Sequence, residues 1–166
     1  CIPGACAAIT ALVSSGLPSS SFVFEGFLPK KKIDRDQIIL EISKNEKTTI
    51  IYESPKRLKK LLKELFESCG GDREIMVARE LTKKFEEHVG ENVNQVIDYF
   101  RDKEVLGEIT IVIKGRDTMN ENITICELEL KKELSELIEA GLTLSQASKY
   151  LAKKKNIAKS LIYKMY

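Results

Sequence analysis

Two short segments of this chain place charged and hydroxyl-bearing side chains directly after apolar, β-rich runs. Thr48-Thr49-Ile50-Ile51-Tyr52 flows into Glu53-Ser54-Pro55-Lys56-Arg57, and Ile75-Met76-Val77-Ala78 flows into Arg79-Glu80-Leu81-Thr82-Lys83. In open α/β sheets, ligand-handling groups gather at strand ends, where a rigid scaffold aims them into a crevice. Core packing does not account for charge at such points. Glu53 and Arg57 stand one helical turn apart, which suits either a surface ion pair or two walls of a crevice. Arg79, Glu80, Thr82 and Lys83 combine two cations, a carboxylate and a hydroxyl, the makings of an ion-pair network or of a site. Pro3-Gly4 precedes an apolar stretch, so it is either an ordinary turn or a place where backbone approaches a ligand closely and free N–H groups donate to it. Gly26-Phe27-Leu28-Pro29 is followed by Lys30-Lys31-Lys32. An aromatic beside cations is an edge suited to stacking a base and holding phosphates.

The elements that must position these residues alternate between strand and helix. Ala5 to Ser15 reads as a helix ended by Gly16, and a strand follows near 20–24. Ile38, Ile39 and Ile42 mark an amphipathic helix over Asp34 to Ser43, with Asp34 as its cap. The strand at 48–52 leads into a helix capped by Ser54, with Pro55 at its first position and Leu58, Leu61, Leu62, Leu65 and Phe66 along one stripe. Gly70-Gly71 ends that helix. A strand at 74–79 comes next, then a loop of short strand character through Phe85 to Val89, a helix over Val93 to Phe100, and a strand at 109–113. Such alternation predicts an α/β layer over about 17–115. Residues 116–126 are polar and read as a linker, and 127–166 as a small helical domain resembling a helix-turn-helix.

Composition bounds the rest. The chain has 166 residues, 43% hydrophobic and 31% charged, with a net charge of +2. That supports a real core and a polar surface, while no run reaches the ~18 apolar residues of a membrane span. Cys1, Cys6, Cys69 and Cys126 show no CxxC spacing, and His88 is the only histidine. No metal site is expected, and a reducing cytoplasm is the simplest compartment. Cys6 is expected to be a small packed thiol. His88 is given no role.

Taken in order, Pro3-Gly4-Ala5-Cys6-Ala7, Phe24-Glu25-Gly26-Phe27-Leu28-Pro29, the Tyr52-Glu53-Ser54 and Ala78-to-Lys83 segments, and Gly107-Glu108-Ile109-Thr110-Ile111 resemble stations of one family. It is the bacterial 16S ribosomal RNA (cytidine-2′-O)-methyltransferases of the tetrapyrrole methylase superfamily, whose YES-x-x-R and ARELTK segments are matched here. The resemblance implies a mixed sheet flanked by helices with a small helical tail, and S-adenosylmethionine as methyl donor. Pro3, Gly4, Ala5, Tyr52, Leu81, Thr82 and Ile109 would line the donor pocket. Phe27, Lys30, Lys31, Glu53, Arg57 and Arg79 would serve the RNA side, and Glu80 or Lys83 would assist removal of the hydroxyl proton. The family's opening loop has a second proline where this chain has Ala5 and a further small residue where it has Cys6; both side chains stay small, so backbone contacts survive there but a side-chain hydroxyl contact does not. The cations Lys30, Lys31, Arg57, Arg79 and Lys83 are expected to form one rim, with Glu53 and Glu80 inside it.

The same resemblance implies 16S ribosomal RNA or the small ribosomal subunit as partner, a homodimer, and no membrane. The family's GTPIGNL, EDTR and SDAGTP segments do not occur here. The chain is therefore expected to be a carboxyl-terminal portion, the distal ~60% on ordinary two-domain lengths, with residues 1–16 a helix belonging to the preceding domain. Such a portion would lack one wall of the donor site and be inactive alone. Two other readings stand beside this one: a corrin-precursor or diphthine methyltransferase, and a non-enzymatic nucleic-acid-binding module led by 127–166.

Overall fold

The computed structural model describes residues 1–117, 130–155 and 162–163. The chain divides into two compact units, Cys1–Arg116 and Asp117–Tyr166.

In the first unit, apolar β-branched runs form the strands and leucine-striped segments the helices. The strands are β1 (Phe22–Phe27), β2 (Thr48–Glu53), β3 (Glu74–Arg79), β4 (Glu87–Asn92) and β5 (Ile109–Ile113). They make one sheet in the order β1-β2-β5-β3-β4. Only β1 and β2 run parallel; the β2–β5, β5–β3 and β3–β4 pairs are antiparallel. The sheet is therefore mixed. Its three central strands are apolar on both faces, as a sheet covered on both sides requires. Ile51, Ile75, Val77, Ile109, Ile111 and Ile113 pack against α2 (Lys32–Lys44), α3 (Pro55–Cys69) and α4 (Val93–Phe100). Ile50, Met76, Ala78 and Val112 face the other way, onto Ala8, Ala11 and Leu12 of α1 (Ala7–Ser15).

Helix α3 shows how the pattern works. Leu58, Leu61, Leu62 and Leu65 are buried, each contributing about 1.5–3 kcal/mol relative to exposure. Phe66, expected on the same stripe, is exposed; it follows Leu65 by one position and so turns about 100° away from the buried face. Several other boundaries differ from the expected ones. Strand β1 continues to Phe27 through a register shift between Phe24 and Gly26, where Gly26 adopts φ +64°. A glycine bulge of this kind lets pairing resume beyond the irregularity. Helix α2 begins at Lys32, with Lys31 as an N-cap lacking a side-chain bond. Asp34 sits inside the first turn, where its charge favours the helix dipole instead of capping it. Strand β4 is six residues long, because Glu87–Asn92 pairs with β3 along its whole length.

Helix α1, expected to belong with a preceding domain, rests on the sheet of the first unit. Gly16 at φ +68° ends it. Its outer face leaves Ile9 and Val13 exposed.

In the second unit, residues 130–139 are helical (α5), followed by α6 (Leu144–Lys155). Thr143 caps α6 reciprocally: its N–H and hydroxyl donate to Gln146 Oε1, and its Oγ1 accepts from the Gln146 N–H, a capping box. Leu134, Ala147, Leu151 and Ile162 form the small core. Lys154 and Lys155 both pair with Glu133. Residues 118–129 and most of 156–166 lie outside the described residues, and with them most of the expected linker, Cys126 and the bulk of the last helix. Among the described residues no helix is long and apolar enough to cross a membrane.

Candidate active site

The register of the sheet decides what meets what. Glu53 pairs with Ile109, Ile109 with Arg79, and Arg79 with Glu87, while Phe27 pairs with Tyr52. Both charged segments therefore end at the same edge of the sheet, beside the Gly107-Glu108 approach to β5. A cleft of about 480 Å³ opens there, within the ~300–1,000 Å³ usual for small-ligand sites. Phe27, Tyr52, Glu53, Ser54 and Pro55 line one side; Gly107, Glu108, Ile109 and Thr110 line the other, with Ala7 of α1.

Glu53 is the floor of the cleft and fully shielded, its side chain 0% exposed. Its Oε1 accepts from the Ser54 N–H at 2.8 Å and lies 2.6 Å from Arg57 Nε. Its Oε2 accepts from Arg35 Nη1 at 3.2 Å. Arg35 is itself buried and also donates from Nε to Glu64 at 2.8 Å, while its Nη2 has no partner among the described residues. Arg57 Nη1 reaches the Leu28 carbonyl at 3.5 Å. One carboxylate thus ties α2, α3 and the loop after β1 to the end of β2. Tyr52 carries the exposed aromatic edge, with Phe24 at 5.0 Å in an edge-on contact and Phe27 at 5.6 Å. Desolvation and the neighbouring Cys6 thiol push the Tyr52 hydroxyl up. Cys6 is exposed rather than packed, and the Ile9 and Ala8 N–H groups at the start of α1 hold its thiol below the usual range.

Across the cleft, Glu80 and Thr82 both hold positive φ, 52° and 64°, uncommon for side-chain-bearing residues. A set of polar contacts maintains this turn. The Glu80 N–H donates to the Glu108 carbonyl at 2.9 Å, and the Glu108 N–H returns a bond to Glu80 Oε1 at 2.9 Å. Lys83 Nζ bridges Glu80 at 2.9 Å and Glu108 Oε2 at 3.0 Å. The Glu108 N–H and the Lys83 ammonium hold the Glu80 carboxyl below the usual carboxylate range, and Glu80 and Glu108 hold Lys83 above the usual lysine range. Glu80's share of this latch is complete above the ordinary carboxylate pKa and is lost as pH falls through its lowered value. Lys83's share is complete below the ordinary lysine pKa and is lost as pH rises through its raised value. Amide exchange at Glu108, corrected for intrinsic rates, should show protection that is flat through neutrality and falls at both extremes; a drop near neutral pH would mean that a different group controls the turn.

Of the residues expected to serve the donor, Tyr52 and Ile109 line the cleft. Pro3, Gly4 and Ala5 do not; they are exposed beside it, and Ala7 takes the lining position. Leu81 packs against the α1 side of the sheet. The Thr82 hydroxyl bonds to the Leu81 carbonyl, and its N–H donates to Glu86. Phe27 and Glu53 line the cleft, but Glu53 lies beneath the surface, its oxygens taken by protein partners. Four of the five cations expected to form a rim are taken up in ion pairs. Lys31 pairs with Asp34, Arg57 with Glu53, Arg79 with Glu87, and Lys83 with two carboxylates. Ser54, Pro55, Thr110, Ala7, Glu108 and Arg35 are the participants that sequence reading did not assign. Arg35 carried a signal: it stands four and seven residues before Ile39 and Ile42, on the apolar stripe of α2.

Residues 1–97 match the sequence profile of the family described as Tetrapyrrole (Corrin/Porphyrin) Methylases. The chain belongs to this methylase family. Three curated proteins named ribosomal RNA small subunit methyltransferase I are similar to it over almost its whole length. That of Synechocystis is 40% identical over 164 residues, covering 99% of the chain and 58% of the relative. That of Bacillus subtilis is 36% identical, covering 99% and 57%, and that of Vibrio cholerae 39% identical, covering 98% and 56%. The methylase-family chain thus spans a little over half the length of these relatives. Among solved structures, cobalt precorrin-4 methyltransferase superposes with a TM-score of 0.53 at 16% identity, over 68% of this chain and 50% of that one. The methyltransferase CobJ gives 0.52 at 18% identity, over 68% and 49%. Those two likenesses establish the fold, and the fold alone.

Proposed function

We propose that the intact protein transfers a methyl group from S-adenosylmethionine to the 2′-hydroxyl of a cytidine in small-subunit ribosomal RNA. The observation that carries this reading is the identity of 36–40% across 98–99% of the chain to proteins named for small-subunit ribosomal RNA methylation. The cobalt precorrin-4 methyltransferase and the methyltransferase CobJ share the fold at half that identity or less.

The cleft suits such a donor. Apolar Ala7, Pro55 and Ile109 fit a purine face, and the exposed carboxylate of Glu108 complements a cation. When bound, S-adenosylmethionine supplies an electrophilic methyl carbon on a sulfonium. The chain's own task is then to hold the acceptor in line and take up its proton as attack develops. Tyr52 and Ile109 stand on the donor side, and Phe27 offers an exposed ring for the acceptor base. Lys30 and Lys31 lie beyond it for phosphates. The Pro3-Gly4-Ala5 backbone, Leu81 and Thr82 frame the entrance, and Arg57 and Arg79 shape the acceptor side through their carboxylate partners. Ile9 and Val13 on α1 are the surface on which a further domain would rest, and the exposed β1 edge at Phe22 and Phe24 is where a homodimer would form. The helices at 130–139 and 144–155 belong to the small helical domain of this reading, and the cytoplasm, where ribosomal subunits are assembled, is the matching compartment.

The test is incubation of the intact protein with small subunits lacking the modification and methyl-labelled donor, followed by nuclease digestion and mass mapping. The expected product is 2′-O-methylcytidine at one position. A methyl group on a base, or none on RNA, sinks the reading. Affinity for the RNA should also fall with salt, and Lys30→Ala with Lys31→Ala should lower the slope of log K against log salt by about 1 for each phosphate that is no longer neutralised.

A further inference from the structure

Four side chains on this sheet end could accept a proton from a hydroxyl in the cleft: Tyr52, Glu53, Glu80 and Glu108, with Lys83 a fifth if it were neutral. The geometry disposes of most of them. Both Glu53 oxygens are occupied by Ser54, Arg57 and Arg35, beneath the surface. The Tyr52 phenol is held protonated by desolvation. Glu80 spends Oε1 on the Glu108 N–H and on Lys83, and it is not among the residues lining the cleft. Lys83 donates to two carboxylates and stays an ammonium, with no lone pair to offer.

Glu108 differs on every count. It lines the cleft, its side chain is 85% exposed, and among the described residues its carboxylate is bonded by Lys83 alone, at Oε2. Oε1 is open. Its backbone is fixed from both sides, by the Glu80 N–H on its carbonyl and by its own N–H on Glu80. A carboxylate anchored at backbone and at one oxygen, with the other oxygen open to a ligand cleft, is poised to accept a hydrogen bond. We infer that Glu108 is the residue that meets the reacting ribose hydroxyl, with Lys83 and Glu80 as positioning residues behind it.

This rests on the functional reading above. In the step, the ribose oxygen forms the new O–C bond while the donor's C–S bond breaks with its electron pair left on sulfur. The hydroxyl proton passes to Glu108 Oε1. Charge balances: the sulfonium becomes a neutral thioether and the carboxylate a carboxylic acid. The role suits a residue that needs little burial, because the proton becomes acidic only as the oxygen gives up electron density.

The experiment uses the intact protein, with mass mapping of the wild-type product to locate the modified position. Glu108→Gln keeps the shape but weakens the acceptor; kcat should fall by ~10²–10⁴-fold, the usual span for a general base, with KM for the donor unchanged. A binding readout needs no turnover. Small-subunit RNA fragments carrying cytidine or 2′-deoxycytidine at the mapped position should differ in affinity by ~10-fold or more for wild type, as expected of a hydrogen bond to a charged acceptor. In Glu108→Gln that ratio should shrink towards one, while Glu108→Asp should retain part of it. Wild-type product with undiminished kcat in Glu108→Gln, or a ribose-to-deoxyribose ratio that survives the substitution, overturns the inference and leaves the functional reading standing. A wild type that makes no 2′-O-methylcytidine overturns both. Should Glu108→Gln fail to fold, the binding ratio in Glu108→Asp decides: no change from wild type tells against Glu108.

Discussion

Glu53→Ala should destabilise the Cys1–Arg116 unit by about 3–5 kcal/mol, the cost of breaking a buried ion pair from one side. Arg35, its side chain 4% exposed, would keep Glu64 on Nε but lose the carboxylate on Nη1, with Nη2 already unpartnered among the described residues. A guanidinium left in that state cannot recover water without opening α2 from α3. Arg57→Ala should cost less, about 1.5–3 kcal/mol for one hydrogen bond to a charged group, because Glu53 keeps the Ser54 N–H on Oε1 and Arg35 on Oε2. Urea midpoints at constant slope measure all of these. The double variant Arg35→Met with Glu53→Gln should recover part of the loss, since a buried pair replaced at both ends is often close to neutral. Glu53→Ala within about 1 kcal/mol of wild type would show that the network is not what holds these elements together. The distinction matters for function: it makes Glu53 an internal tether whose oxygens are taken by protein partners.

Gly107→Ala should lower both stability and activity. Gly107 has φ +89°, and an added Cβ would lie 2.4 Å from Glu80 Cδ and 2.5 Å from its Oε1. The backbone conformation alone costs on the order of 1–3 kcal/mol for a side-chain-bearing residue. Glu80's carboxylate must also move, and it is the acceptor for the Glu108 N–H and the partner of Lys83. The turn at Glu80 and Thr82 then loses the hydrogen bonds that hold its positive φ values, and Glu108 loses its anchor. We expect a thermal shift in the Gly107→Ala variant together with a fall in kcat. In a Glu80→Ala background the further cost of Gly107→Ala should drop to the backbone contribution, because nothing remains to be displaced. Equal costs in both backgrounds would show that the two positions do not couple.

Local signals in the sequence were enough for the elements and their order, except that β4 read as a loop of short strand character. Leucines at 58, 61, 62 and 65 can satisfy only a helix with one buried face, and Pro55 at its first position and Gly70 at its end are signals that act within a few residues; Ser54 stands at the N-cap without a side-chain bond. Runs such as Ile109 to Ile113 must be strands covered on both faces. The ordered motifs carried the family as well, since they depend on residue type along the chain. The Gly26 bulge was not legible, because whether β1 ends at Phe24 or resumes depends on what β2 offers opposite; hence Phe27 falls at a strand end and not in a loop. Asp34 has the chemistry of a cap, but α2 starts at Lys32 and puts it inside the first turn.

The site was the part that only tertiary structure decided. By sequence alone Glu53 and Arg57 were a pair one turn apart, and Glu80 and Lys83 were interchangeable candidates for a base. Charge state and access depend on partners far along the chain: Arg35 from another helix, Glu87 across a hairpin, Glu108 from the approach to β5. Those partners are brought together by sheet register, in which a shift of one residue exchanges every inward side chain for an outward one. The sequence determined which groups exist for chemistry at this sheet end. The fold determined that Glu53 is locked, Lys83 is charged and Glu108 is open, because burial and hydrogen-bond saturation are properties of neighbours in space.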